Sequence, residues 1–302
     1  MPSTHANGIT VHYETHGDPA SPPLLLVMGL GAQLTAWPDE FVELLVARGF
    51  FVIRHDNRDV GLSTWFDEAG TPDLAAAVAG NAAAAYLLSD MADDAVGLLD
   101  ALEIDSAHIV GASMGGMIAQ AIAIDHPARV RSLVSIMSTT GAPNVGQPRP
   151  DIFPLLLRPA PTTREEAVEA GVIGARLIGS TGYPFDEAGT RIRAGASFDR
   201  AFHPVGTGRQ LVAILASGDR TDALRQLDIP TLVIHGEADP LVDVSGGKAT
   251  AEAVPGATLH LVPGMGHDLP AGLWETIADD IASHAHPHDD RSAVAGRAGR
   301  AG

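Results

Sequence analysis

Three residues of this chain, Ser113, Asp239 and His267, are of the types that together activate a hydroxyl. A serine hydroxyl is a poor nucleophile at neutral pH. It needs a base to take its proton and an acid to orient that base. Ser113 sits in Gly111-Ala112-Ser113-Met114-Gly115, a G-x-S-x-G pentapeptide after the apolar run His108-Ile109-Val110 and before a helix-like segment, Gly116 to Ile124. Strand, sharp turn and helix are the setting that a nucleophile elbow requires. The pentapeptide alone says little, because Gly and Ser also make ordinary turns. Its weight comes from two later loops. His235-Gly236-Glu237-Ala238-Asp239-Pro240 follows the apolar run Thr231–Ile234, and Pro263-Gly264-Met265-Gly266-His267-Asp268 follows Thr258–Val262. In a doubly wound sheet, reacting groups gather beyond the carboxyl ends of the strands. Asp239 is favoured over its neighbours Glu237 and Asp243 by its loop position. Of the chain's 13 histidines, His267 alone joins a glycine-rich loop after the last long strand. His235 reads as structural, and His284, His286 and His288 read as solvated tail in preference to a metal site. An acyl intermediate also needs N–H donors for its oxyanion. The amide after the nucleophile, Met114, lies at the start of a helix and is one such donor.

The elements that must position these groups follow from hydrophobic pattern. Residues 9–14 alternate apolar and polar and predict a half-buried edge strand. Leu24-Leu25-Leu26-Val27-Met28 and Phe50-Phe51-Val52-Ile53 are continuous apolar runs, as in strands buried on both faces. Trp37-Pro38 opens a helix and Gly49 ends it. The alanine-rich stretch from Ser63 to Leu88, including Ala75–Ala77 and Ala82–Ala85, predicts short helices above the sheet. Strands alternating with helices predict an α/β fold with a doubly wound, mainly parallel sheet. After about residue 138 prolines become frequent and helical segments follow without strands. The expected organisation is a discontinuous core, 1–137 and 223–284, a helical cap at 138–222, and a disordered tail at 285–302. Asp56 and Arg58 are expected to form an ion pair or loop brace.

Four stretches carry a resemblance: the pentapeptide, Asp56-Asn57-Arg58-Asp59-Val60-Gly61-Leu62-Ser63, Gly236–Pro240 and Pro263–His267. With Ser, Asp and His in that chain order, the sequence resembles the α/β-hydrolase fold family up to about residue 283. The family usually has D-x-R-G-x-G-x-S in the second stretch, where Asp59 replaces the first glycine. That change, with Met28-Gly29 in place of His-Gly, resembles the branch containing aclacinomycin methylesterase. The resemblance implies a second oxyanion donor at the Leu30 amide and a carboxylic ester hydrolase mechanism. C–C bond hydrolysis or acyl transfer on the same triad, and a non-catalytic ligand-binding role, are the alternatives.

Composition narrows the partners. A formal charge of −18 argues against nucleic acid and anionic membrane surfaces. The chain has no cysteine, which excludes disulfides and thiolate chemistry. No Walker A, dinucleotide or H-E-x-x-H signature occurs, so no cofactor or metal is expected. No signal-peptide pattern opens the sequence, and the expected location is cytoplasmic. The expected partner is a small-molecule ester. Apolar residues between Phe153 and Leu157 and at Ile178, Tyr183, Phe185 and Phe198 suggest an apolar or bulky group, unless they form the cap's own core.

Overall fold

A computed structural model describes residues 2–291. The strands are β1 (Ser3–Ala6), β2 (Ile9–His16), β3 (Pro23–Val27), β4 (Phe51–His55), β5 (Ala107–Ala112), β6 (Val130–Ile136), β7 (Thr231–Gly236) and β8 (Thr258–Val262). They form one sheet in the order β1-β2-β4-β3-β5-β6-β7-β8. The first two strands are antiparallel, β2 runs antiparallel to β4, and every later pairing is parallel. β1 was not foreseen, and it displaces the alternating strand β2 from the edge.

The helices are α1 (Asp39–Ala47), α2 (Leu74–Val78), α3 (Leu88–Ala101), α4 (Met114–Asp125), α5 (Arg164–Ile178), α6 (Glu187–Arg200), α7 (Pro204–Ser217), α8 (Thr221–Leu224), α9 (Ser245–Ala253) and α10 (Trp274–Ala285). Successive residues of β3 bury on opposite faces of the sheet: Leu25 and Val27 join the apolar side chains of α3 and α4, while Leu24 and Leu26 join those of α1 and α10. Each such fully buried aliphatic side chain contributes roughly 1.5–3 kcal/mol. This sandwich holds the carboxyl ends of β5, β7 and β8 rigidly above one edge of the core.

Helices α5 to α8 lie between β6 and β7 in the chain, with no strand among them. α5 and α6 bury little, Val172 and Gly195 respectively, and face each other across exposed ion pairs such as Arg164–Asp199 and Arg191–Glu169. α7 is different: Arg209, Gln210, Leu211, Val212 and Ala213 are all buried.

Three expectations need correction. Ala82–Ala85 is not helical; only Leu74–Val78 of the alanine-rich stretch is, with the Asp73 carboxylate accepting from the Ala76 N–H at its start. Asp56 and Arg58 do not pair with each other, and neither is at the surface. Buried Arg58 donates to Asp94 at 2.6 and 2.7 Å, whereas Asp56 lies 2.8 Å from Arg200. The expected disorder from residue 285 does not hold for 285–291. His286 stacks on Phe50 with ring centroids 4.5 Å apart, its Nε2 is 2.8 Å from the Arg48 carbonyl, and Asp289 meets buried His108 at 2.9 Å. Composition marked this stretch as solvated, but a flat aromatic face and a buried imidazole wanting a partner hold it to the core. Residues 292–302 lie outside the described ones.

Candidate active site

β5 turns into α4 through Ser113, whose backbone has φ 57° and ψ −122°. Side-chain-bearing residues avoid such a conformation, which stores about 1–3 kcal/mol. The flanking glycines make the turn feasible. A Cβ on Gly111 would stand 2.0 Å from the Gly115 carbonyl oxygen, and one on Gly115 would stand 2.1 Å from that of Val27. The strained residue is clamped on both sides: its N–H donates to the Ile136 carbonyl at 2.9 Å, and Ser138 Oγ donates to its carbonyl at 2.8 Å.

The loops after β7 and β8 bring Asp239 and His267 to this turn. His267 Nε2 lies 2.9 Å from Ser113 Oγ, and His267 Nδ1 lies 2.7 Å from Asp239 Oδ2. An ionised carboxylate only accepts hydrogen bonds, so Nδ1 carries the ring proton and Nε2 is left to accept from the serine. Asp239 is buried, and its other oxygen accepts from the Leu241 and Val242 N–H groups, both at 2.9 Å. Neither Glu237 nor Asp243 makes this contact with the imidazole. His235 is fully buried against Asp239, with Nε2 2.8 Å from the Val242 carbonyl, and burial lowers its pKa.

The histidine loop is fastened to the last residue of α5 and the chain just beyond it. The His267 N–H donates to the Ile178 carbonyl at 2.7 Å, Gly266 N–H to Ser180 Oγ at 2.9 Å, and Gly182 N–H to the Gly264 carbonyl at 2.9 Å. Ser180 in turn donates to the Asp268 carboxylate through its N–H at 2.9 Å and its hydroxyl at 2.5 Å. Burial raises the pKa of Asp268, with the Ser180 bonds opposing the shift.

The loop after β3 passes beside the nucleophile: a Cβ on Gly29 would lie 3.0 Å from that of Ser113. Asn57 Nδ2 donates to the Met28 carbonyl at 2.8 Å and holds the loop's base. Among the described residues the Leu30 and Met114 N–H groups have no acceptor. Met114 opens α4, so its amide also lies at the positive end of that helix's dipole.

Several residues around the site gave no sequence signal. The most consequential is Arg209 on α7, which meets Asp59 at 2.7 and 2.8 Å in a fully buried two-point pair. Burial opposes the Asp59 carboxylate, but Arg209, the Phe66 N–H and the Tyr86 hydroxyl outweigh it and hold its pKa below the usual value. The next residue, Gln210, reaches the loop after β3. Both partners lie more than a hundred positions away in the chain, so only the fold reveals them. The apolar residues of 153–198 form no closed core of their own: Leu157 and Phe185 are exposed, and Arg176 covers the Phe185 ring. Among the described residues no group of three or more acidic or histidine side chains is arranged to hold a metal ion, and no helix is long and apolar enough to cross a membrane.

Comparison with known proteins agrees with this fold. Residues 22–270 match the family described as the alpha/beta hydrolase fold. Rhodomycin D methylesterase DauP of Streptomyces sp. (strain C5) is 33% identical, over 91% of this chain and 95% of that protein. The 2-hydroxymuconate semialdehyde hydrolase of Pseudomonas sp. (strain CF600) is 31% identical, over 83% and 82%. Among solved structures, the enol-lactonase from Burkholderia xenovorans LB400 superposes with a TM-score of 0.73 at 23% identity, over 94% of this chain and 99% of that one. With its sheet order, its elbow and this coverage, the chain belongs to the α/β-hydrolase fold family and resembles its methylesterase-like branch.

Proposed function

We propose that this protein cleaves carboxylic esters through an acyl-enzyme intermediate, with Ser113 as nucleophile, His267 as general base and acid, and Asp239 as the orienting carboxylate. The protein is a carboxylic ester hydrolase. The observation that carries the mechanism is the continuous chain from Ser113 Oγ to His267 Nε2 and from His267 Nδ1 to Asp239 Oδ2, at 2.9 and 2.7 Å. Ser113 Oγ attacks the ester carbonyl while its proton passes to His267 Nε2. The imidazolium is stabilised by the Asp239 carboxylate, which two backbone N–H groups also hold in position. The negative charge on the former carbonyl oxygen falls between the Met114 and Leu30 N–H groups, which have no other partner to leave. Each such donor is worth roughly 3–4 kcal/mol in the transition state. Collapse of the intermediate expels the alcohol, which takes its proton from His267. Water, deprotonated by His267, then releases the acid and restores Ser113.

The segment 138–222 caps this site and selects the substrate. Its incompletely buried apolar residues support an apolar or bulky ester, and the likeness to rhodomycin D methylesterases supports a methyl ester. Turnover of methyl esters graded from small to polycyclic, by the parent and by Ser113→Ala, tests both points: activity rising with the bulk of the acid and absent in the variant supports the reading. A second reading, hydrolysis of a carbon–carbon bond in a vinylogous diketone, draws on the 31% identity to a semialdehyde hydrolase. Preference for such a diketone over p-nitrophenyl esters would favour it.

A further inference from the structure

The Leu30 amide is useful as an oxyanion donor only if the loop after β3 holds it toward Ser113. Gly29 and Gly31 flank Leu30, and Gly31 has φ +66°. A loop of this composition adopts many conformations unless something outside it fixes one. Its base is fixed by Asn57, and the Ala32 N–H closes a turn on the Gly29 carbonyl at 3.2 Å. The peptide immediately after Leu30 is fixed from elsewhere. The Gly31 N–H donates to Gln210 Oε1 at 2.8 Å, and Gln210 Nε2 donates to the Arg58 carbonyl at 2.7 Å. Gln210 is fully buried on α7 and is the only side chain among the described residues that accepts from this part of the loop. Thr207, one turn earlier on α7, closes the other side: a Cβ on Gly31 would stand 2.7 Å from its Oγ1.

We propose that Gln210 is a positioning residue for the oxyanion hole, fixing the orientation of the Leu30 N–H through the Leu30–Gly31 peptide. This rests on the esterase reading above. Both ends of the Gln210 amide are engaged, the oxygen on the loop and the nitrogen on the segment after β4, so it acts as a spacer of set length. It never touches substrate. Its loss leaves the Gly31 N–H without its acceptor and lets the Leu30–Gly31 peptide rotate, which loosens the adjoining Gly29–Leu30 peptide that carries the Leu30 N–H. An aim lost by about 1 Å costs on the order of 100-fold in rate.

Gln210→Met keeps length and shape and removes both hydrogen bonds. The expected result is a fall in kcat of about 10- to 100-fold with KM changed less than about threefold. A structural role alone would also lower kcat by reducing the folded fraction, so the deciding readout is a ratio within each sample. Sulfur accepts hydrogen bonds poorly, so a hole that stabilises an oxyanion favours an ester over its thionoester. That ratio does not depend on how much enzyme is folded. It is expected to shrink at least about tenfold in Gln210→Met, in step with weaker inhibition by a boronic acid whose hydroxyl occupies the hole. An unchanged ratio with unchanged boronate inhibition overturns the proposal. Should Gln210→Met give no soluble protein, Gln210→Asn keeps the buried amide one methylene short of Gly31 and carries the same measurement. The two readings fail separately. Full activity in Ser113→Ala sinks the esterase mechanism, whereas an inactive Ser113→Ala beside a Gln210→Met with the parental ratio sinks only the role of Gln210.

Discussion

Replacing Asp59 with glycine restores the residue that the resembling family usually carries there, yet it is expected to destabilise this protein. Two effects oppose each other. Asp59 has φ +66°, a left-handed conformation that glycine adopts freely, so the exchange relieves about 1 kcal/mol. It also strands the Arg209 guanidinium, whose side chain is 2% exposed and which keeps the Gly70 carbonyl at 2.7 Å, His203 Nε2 at 2.9 Å and Asp67 at 3.5 Å but loses both bonds to its buried carboxylate. Breaking a buried pair from one side costs about 3–5 kcal/mol, which leaves a net loss of roughly 2–4 kcal/mol for Asp59→Gly. Arg209→Met relieves no strain. It leaves a buried carboxylate with the Phe66 N–H and Tyr86 hydroxyl, both at 2.7 Å, and His203 Nε2 at 3.6 Å, and is expected to cost the full 3–5 kcal/mol, roughly. The double variant removes both charges at once, so its cost should fall below the sum of the singles by at least about 2 kcal/mol. Urea unfolding of the four proteins at constant m gives this coupling directly. Singles that add to within about 0.5 kcal/mol, or an Asp59→Gly protein more stable than the parent, would refute the reasoning.

Three further outcomes follow from the geometry. Ser180→Ala removes the hydroxyl that joins Gly266 to Asp268, and should lower kcat several-fold at nearly unchanged KM while costing about 1 kcal/mol in urea; unchanged kcat would show that His267 does not depend on this fastening. His55 is fully buried, neither ring nitrogen has a hydrogen-bonding partner among the described residues, and Asn57 stands beside it without bonding geometry. Burial lowers its pKa from 6.5 to about 4, with Asp56 offsetting part of the shift, so between those values the unfolded chain binds the extra proton. Stability is therefore full above about pH 6.5 and falls as pH drops toward about 4, by at most about 3 kcal/mol; His55→Leu should flatten that limb in urea midpoints, and an unaltered slope would contradict the assignment. Gly111→Ala puts a methyl group 2.0 Å from a backbone oxygen and should abolish soluble, active enzyme, an expectation that a near-parental melting temperature would overturn.

The parts of this molecule that a linear reading reaches are those whose cause is local. Ser113 and Asp239 each follow a buried apolar strand at short range, and His267 follows the half-exposed edge strand β8, so strand pattern and chain order suffice to put them at one end of the sheet. The β1 strand lacks that pattern: Ser3-Thr4-His5-Ala6 is polar and becomes a strand because β2 offers it an unpaired edge. Ala82–Ala85 has high helix propensity but lies in a loop, where propensity yields to tertiary context. Asp59 is the clearest case. Read in the chain, it is a departure from a familiar motif; in the fold, it is the carboxylate that seats Arg209 and thereby α7, the helix that also carries Gln210. Partners 150 positions apart leave no trace in periodicity or spacing.

The central claim is that Ser113 forms the acyl-enzyme. A rapid-mixing experiment with a p-nitrophenyl ester, followed by acid quench and intact-mass analysis, tests it most directly. The predicted result is one acyl adduct per chain, mapped to the peptide containing Ser113, with a burst of nitrophenol of matching size and a rate loss of about 10⁴-fold or more in Ser113→Ala. An adduct on any other residue, or an Ser113→Ala variant that turns over ester at a parental rate, would contradict the account.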